Sequence, residues 1–466
     1  MSLSPIPLFG LGNAGKSVNV NAQQRTNLYC QIERDPEKNV VTMYPTPGLT
    51  TFVNFGANPD RAFYSKGDYQ YHVNGSTFYR VANDGTIVNK GSLLTSGGRC
   101  DVIDNGLQII IVDGTYGYIY TLATEVFVQI TDVDFPGAQT VTFLNGYFAI
   151  QVPNTGRWYV SALYDGLTWD ALDFATAESD PDNLVRIMAE NGQIVLFGEK
   201  TTEFWGDSGG VDFPFARIGA SAIEWGLAAR WSLCKFMDSL IFLRRNRLGY
   251  TEVCTISGYV AQSVTPPEMA FVFSQYSSVE NASGFTYMIS GHAMYQINFP
   301  SANESWLFDA QSRAWSKVES GGARHRGEIQ SSYLNLPYVS DFSNGKIYRL
   351  DETVYTDDGE PIAREFISRH QSTGDFTHFG QIWLEMEAGV GLISGQGDDP
   401  KMMMSISRDG GHTYGGEVFR AIGKIGQYRR RAVFNRVGRA RDWLYKFRIV
   451  EPIKTVFVAA WGRVSK

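Results

Sequence analysis

Cysteine, histidine and long apolar runs are all scarce in this sequence. The four cysteines, Cys30, Cys100, Cys234 and Cys254, are scattered and form no metal-type pair. Reduced, buried thiols are therefore expected, rather than a disulfide framework or a thiolate site. The six histidines, His72, His292, His325, His370, His378 and His412, match neither H-x-x-x-H nor H-E-x-x-H. They read as isolated surface or turn residues. ARHRG also sets His325 between two arginines, which disfavours a cationic metal. No metal and no cofactor is expected. No run approaches about 18 apolar residues, so no spanning helix is expected. MSLSPIPLFG has neither a basic n-region nor an apolar h-region, which argues against a signal peptide. Charged residues make up only 19%, too few for long solvated helices to dominate. No serine is expected to serve as the nucleophile of a G-x-S-x-G elbow.

Aromatic residues and glycine are abundant instead. They account for 14% of the chain and for 48 positions respectively, a mixture that favours strands joined by tight turns. One phrase recurs: an apolar or aromatic run, a polar or Gly turn, then a second such run. YQYHVNGSTFYRV and QIIIVDGTYGYIYTL are two of seven examples, with turns near Gly75, Gly114, Gly146, Gly198, Asn246, Gly291 and Asn344. Their spacings of 39, 32, 52, 48, 45 and 53 residues resemble the roughly 40–50 residues per blade of a β-propeller. A single hairpin buries one face and is marginal alone, whereas blades around an axis cover both faces. A large, irregularly spaced β-sandwich is the alternative.

The expected organisation is all-β, in three parts. Residues 1–55, broken by PIP and PTPG, form an extended N-terminal arm laid over another surface. A β-propeller of about six or seven blades occupies 56–360, ending in the linker VYTDDGEPI. A C-terminal antiparallel β-sandwich-like domain with basic strands fills 361–466. There LEMEA puts Leu384, Met386 and Ala388 on one face and Glu385 and Glu387 on the other.

Three motifs bear on chemistry. GLGNAGKS, Gly10 to Ser17, satisfies the phosphate-loop pattern G-x-x-x-x-G-K-[ST]. Its context does not: Pro5 and Pro7 precede it where a central strand should run, and VNVNAQQRTN follows where a helix should start. A bending loop at the start of the arm is the better reading, with Lys16 at the surface. SRDGGHTY, Ser407 to Tyr414, resembles the Asp-box turn of sialidase-type propellers, and YDGLTW is a shortened cousin. Asp409 and Ser407 would bond backbone amides there, a structural duty. No carboxylate pair or arginine cluster suited to glycan hydrolysis stands out, so no catalytic residue is assigned; a glycan-binding or glycoside-hydrolysing propeller remains the alternative.

The third motif is the basic cluster YRRRAVFNRVGRARDW. From residue 420 to 466 there are 13 Lys/Arg and 2 acids, a net +11 on a chain whose other residues carry −18. Arg429 and Arg431 are expected on one face of a strand and Arg430 on the other, with Arg436, Arg439 and Arg441 around a turn at Gly438. Such a hairpin is either simply solvated or docks an acidic protein or DNA phosphate. No base-reading helix accompanies it, so any DNA contact would lack sequence specificity.

Several phrases resemble the packaged-DNA stabilisation, or tail hub and nozzle, proteins of short-tailed bacteriophages. They are RTNLYCQIERDPEKNVVTMYPTPGL, WDALDFATAESDPDNLVRI, TTEFWGDSGGVDFPFARIGASAIEWG, SGHAMYQINFPSANESWLFDAQSRAWSKV and RVGRARDWLYKFRI, which span nearly the whole chain in order. The resemblance implies a structural virion protein, made in the host cytoplasm, and not an enzyme. It implies a homo-oligomeric ring of six subunits below the portal and its adaptor ring. That ring would close or extend the channel for double-stranded DNA and anchor tail fibres or spikes.

Overall fold

A computed structural model describes all residues except 1, 19, 33–40, 178–181, 211–212, 220, 247 and 466. Segments 33–40 and 178–181, parts of two phrases that carry the resemblance, thus lie outside the described residues. Among the described residues, seven four-stranded antiparallel units form a propeller. Blades 1 to 6 span residues 60–92, 101–129, 140–176, 184–217, 234–263 and 283–320. Blade 7 takes three strands from 327–351 and its outermost strand, Gly48–Asn54, from near the N-terminus. Innermost strands stand side by side round the axis, and Gly327–Tyr333 against Asp60–Lys66 closes the ring.

Each of the seven hairpins in the sequence falls in its own blade. The uneven spacing has a simple cause. Turns at Gly146 and Gly291 join a blade's first and second strands, whereas the other five join the second and third. Second strands such as Gln108–Val112 and Gln193–Gly198 are nearly continuous buried runs, because neighbouring blades cover both their faces. Outermost strands such as Val126–Gln129 bury little.

The N-terminal 55 residues are committed within the chain. Gly48–Asn54 pairs with Lys346–Asp351. Ser2–Pro5 lies on the last strand, Phe457–Ser465, an edge position that tolerates Pro5. The hairpin of Leu28–Ile32 and Val41–Pro45 joins the same C-terminal sheet. Gln24–Thr26 is the splice: it runs parallel to blade 6's outer strand Trp315–Ser320 and antiparallel to Arg364–Ile367. One sheet therefore passes from blade 6 into the sandwich. VYTDDGEPI is likewise a packed element and not a loose linker, since Thr356–Asp357 pairs with Glu360–Pro361 and with Leu49.

The sandwich core gathers Phe366, Phe379, Ile382, Met402, Phe434, Phe447 and Phe457. Leu384 and Ala388 point inward as LEMEA predicted, while Glu387 pairs with Lys454 at 2.8 Å.

Closure of blade 7 depends on one glycine. A Cβ at Gly48 would lie 2.5 Å from the Val354 carbonyl oxygen and 2.6 Å from that of Thr356. Neither backbone oxygen can swing away. Gly48→Ala is expected to cost about 2 kcal/mol, in the range of core overpacking, measurable as a lower urea midpoint. An unchanged midpoint would show that the closing strand shifts freely.

Candidate functional site

The basic cluster divides into two places. Arg429, Arg430 and Arg431 are exposed in a turn before the strand Ala432–Ile449, not on it. Positive φ at Gly423 and Gly426 (+114° and +81°) folds residues 422–431 back on the loop after Met386, where Gly426 N donates to Gly389 O at 3.2 Å. Arg431 borders a hollow of about 150 Å³ with Trp383, Glu385 and Trp461.

Gly438 is no turn. Ala432–Ile449 is one continuous 18-residue strand, and Gly438 lies in a β-bulge. Phe379 faces Gly438 and Gln381 faces Asn435, so the strand carries an extra residue against its partner. Arg436 and Gly438 absorb it with φ of +58° and +107°. The bulge resets the inward alternation from Ala432 and Phe434 to Val437 and Ala440. Arg439 and Arg441 lie 5.2 and 5.3 Å from the Phe376 ring centre, on a partner strand of the same sheet. The six arginines are thus three in a turn and three on the bulged strand, of which Arg439 and Arg441 share the face against Phe376.

The glycine loop works in the opposite sense to a phosphate cradle. Its carbonyls, not its amides, converge, and they converge on a cation. Arg25 Nη1 donates to the carbonyls of Gly10 (2.7 Å) and Gly12 (3.0 Å), and Nη2 to those of Leu11 (3.1 Å) and Trp315 (2.6 Å). Arg25 is fully buried and lies on the splice strand, so its guanidinium ties the arm to blade 6. Lys16 is exposed. Nothing in RTNLY marks Arg25 as buried; the only hint is a loop of glycines that needs something to hold it.

The Asp-box turn forms as read. Ser407 Oγ accepts from Gly411 N (2.8 Å), and Asp409 accepts from Thr413 N (2.9 Å) and Thr413 Oγ1 (2.6 Å). Thr413 and Ser407 hold the Asp409 carboxyl well below the usual range. In YDGLTW, Asp165 accepts from Leu167 N at 3.0 Å and Thr168 Oγ1 at 2.8 Å.

Three histidines differ from their expected surface setting. His72 and His292 are buried on blade strands, with Nδ1 2.6 Å from Asp60 and 2.9 Å from Asp309. His325 is buried with Nδ1 accepting from Gly327 N at 3.0 Å, and burial pushes its pKa down to about 4. Alternation along YQYHVN groups His72 with Gln70 and Asn74 on a polar face, and only the neighbouring blades, which cover both faces of this strand, bury it.

Two features escaped the sequence reading because several blades build them. The first is a narrowed axis. Arg99, from the entry to blade 2, and Arg186, from blade 4, both face the Trp231 ring at 4.5 and 5.0 Å. Arg186 also reaches Asp101 at 3.4 Å and the carbonyls of Arg230 and Leu233. The Arg186–Asp101 contact joins blades 4 and 2, which are not neighbours, and so reaches across the axis. The second is a cleft of about 1380 Å³ beside blades 4 and 5, bordered by Lys200, Arg217, Glu224, Trp225 and Arg245, where Arg244 stacks on Trp225 at 3.4 Å. Among the described residues, no group of three or more His, Cys, Asp or Glu could hold a metal.

Two family models describe a propeller followed by a sandwich. Residues 5–355 match the family model described as "Bacteriophage P22 Gp10, beta-propeller", and residues 355–464 the one described as "Bacteriophage P22 Gp10, beta-sandwich". A curated relative, the "Tail hub protein gp10" of Salmonella phage P22, is 22% identical over 400 residues, covering 82% of each chain. Among solved structures, the extracellular domain of the hybrid two-component system BT4673 from B. thetaiotaomicron aligns at TM-score 0.45 and 9% identity, over 74% of this chain but only 45% of that one. YCF48 from Cyanidioschyzon merolae aligns at TM-score 0.45 and 11% identity, over 65% of this chain and 98% of that one.

Proposed function

The chain belongs to the bacteriophage P22 Gp10 family, and on that premise we propose that its copies form a ring, six in number, below the portal and adaptor of a short-tailed phage. Its role is that of a structural protein of a phage tail. In this reading the ring extends the DNA channel, retains packaged DNA and anchors fibres or spikes. The family match over both units carries the proposal.

Three further observations support it. Arg99, Arg186 and Trp231 meet at the propeller axis and narrow its bore, which in this reading leaves DNA to run between copies rather than through one. The −18 charge outside the basic segment repels phosphate and lets DNA slide. Arg429, Arg430, Arg431, Arg436, Arg439 and Arg441 then serve as a docking surface for an acidic protein neighbour, because a grip on DNA would slow ejection. The Asp409 turn lends no support to glycan hydrolysis, since its hydrogen bonds go to holding the turn.

Electron microscopy of tail particles carrying the protein tests this. Sixfold density for this chain around a central opening is the expected result. A single copy, or density off the channel axis, would overturn it.

A further inference from the structure

Two exposed patches of opposite charge lie on opposite sides of this molecule. One is the sandwich tip, made of loops 388–400 and 422–431, which the Gly426–Gly389 hydrogen bond holds together. The tip exposes Ile393 (89%), Ile425 (56%) and Tyr428 (75%). From residue 418 to 441, across the tip and the strand leaving it, there are eight bases and no acid.

The other patch is the outer edge of blade 3. Its strand Asp165–Thr176 is bulged twice against Arg157–Ala162, so that residues 170–173 stand out between the paired Trp169 and Phe174. The bulged segment carries its side chains outward, where an incoming chain can reach them. Leu163, Tyr164, Leu172 and Asp170 are exposed on this blade. The described residues between Arg157 and Arg186 include four acids, Asp165, Asp170, Asp173 and Asp182, and no base. Burial and the neighbouring Asp170 raise the Asp173 carboxyl above its ordinary range, a strain that an approaching cation would relieve.

Position decides how the two could meet. The sandwich grows from the outer edge of blade 6 and from blade 7's closing strand. In a ring of seven, blade 3 stands across the axis from that pair. Patches on opposite sides cannot meet their complements through one twofold contact; they meet head to tail. We propose that the basic, apolar sandwich tip of one copy docks on the acidic outer strand of blade 3 in the next copy. The interface rests on the multi-copy reading above and supplies the contact that reading needs. Matching charge sets partner and register, while Ile393, Ile425 and Tyr428 against Leu163, Tyr164 and Leu172 supply apolar area.

A charge swap on the full-length chain tests it, read by sedimentation and electron microscopy. Variant one carries Arg429→Glu, Arg430→Glu and Arg431→Glu; variant two carries Asp170→Arg and Asp173→Arg. The wild type is expected to assemble, and each variant alone to lose roughly tenfold or more in association. An equimolar mixture should regain it, because each variant then presents the complement of the other. A misfolded variant could not be rescued in this way. Variants that assemble as well as wild type would overturn the interface and leave the multi-copy reading standing. So would a mixture that stays dissociated while both variants melt like wild type. A wild type that is monomeric both alone and in tail particles would overturn both. If a charge variant melts early, Leu172→Asp and Ile393→Asp replace it: lost assembly supports the interface, and retained assembly overturns it.

Discussion

Arg25→Met is expected to lower stability by about 3–5 kcal/mol, the range for removing one partner from a buried charged network. Four carbonyl oxygens, those of Gly10, Leu11, Gly12 and Trp315, take their hydrogen bonds from this one guanidinium. Methionine fills much of the volume but donates nothing, so those acceptors lose partners in a place that water reaches poorly. Arg25→Lys should recover only part of the loss, because an ammonium offers three donors from a point rather than five from a fork. Urea unfolding gives the magnitude, and hydrogen exchange gives the location. Faster exchange should appear in residues 10–17 and along Trp315–Ser320 while blades 1 to 4 keep their protection. A change under about 1 kcal/mol would mean that the arm is held to blade 6 by other contacts.

Asp357→Asn is expected to change how stability depends on pH, by about 3 kcal/mol relative to wild type between pH 4 and 6.5. Asp357 is buried in the closing hairpin and accepts from Ser320 Oγ at 2.6 Å. Burial raises its carboxyl to about 6, against weaker opposing effects from Ser320, Arg326 and Arg364. An acid whose folded pKa is raised is stabilising when protonated. Its contribution is full below the unfolded value near 4 and is lost as pH climbs through about 6. His325 has the opposite sign. Burial, aided by Arg326 and Arg324 and opposed by Asp341, lowers it to about 4. Its neutral form is stabilising, so its contribution is full above about 6.5 and is lost as pH falls towards 4. In the wild type the two slopes oppose each other. Removing Asp357 exposes the histidine slope, so the variant should weaken faster than wild type on acidification. His325→Gln should do the reverse. Parallel stability curves for wild type and both variants would show that neither group titrates differently on folding.

Both predictions concern places where the chain returns to itself across hundreds of residues, and the sequence was least legible there. Hairpins within blades were readable because partners lie two to five residues apart and the turn between them needs Gly or Asn. QIIIVDGTYGYIYTL contains its strand, turn and partner. Gly48–Asn54 contains none of these, because its partner Lys346–Asp351 lies some three hundred positions away. Its seven residues looked like part of an arm for that reason. The Gly438 bulge was hidden similarly: a glycine among arginines suggests a turn, and only the partner strand 371–386 shows that pairing continues past it. At GLGNAGKS the flanking prolines and asparagines were enough to reject a phosphate site, yet the cation that organises its carbonyls could not be named.

The sequence alone determined the class of this protein, its repeat and its charge asymmetry. Alternation, turn residues and net charge are local properties that survive without knowing what touches what. Tertiary structure alone decided how the parts are joined: blade 7 closed by an N-terminal strand, the sandwich spliced to blade 6 through Gln24–Thr26, Arg25 locked among carbonyls, the axis narrowed by Arg99, Trp231 and Arg186. A β-strand leaves its pairing groups open along both edges. Which distant segment takes them is settled by the packing of the whole chain.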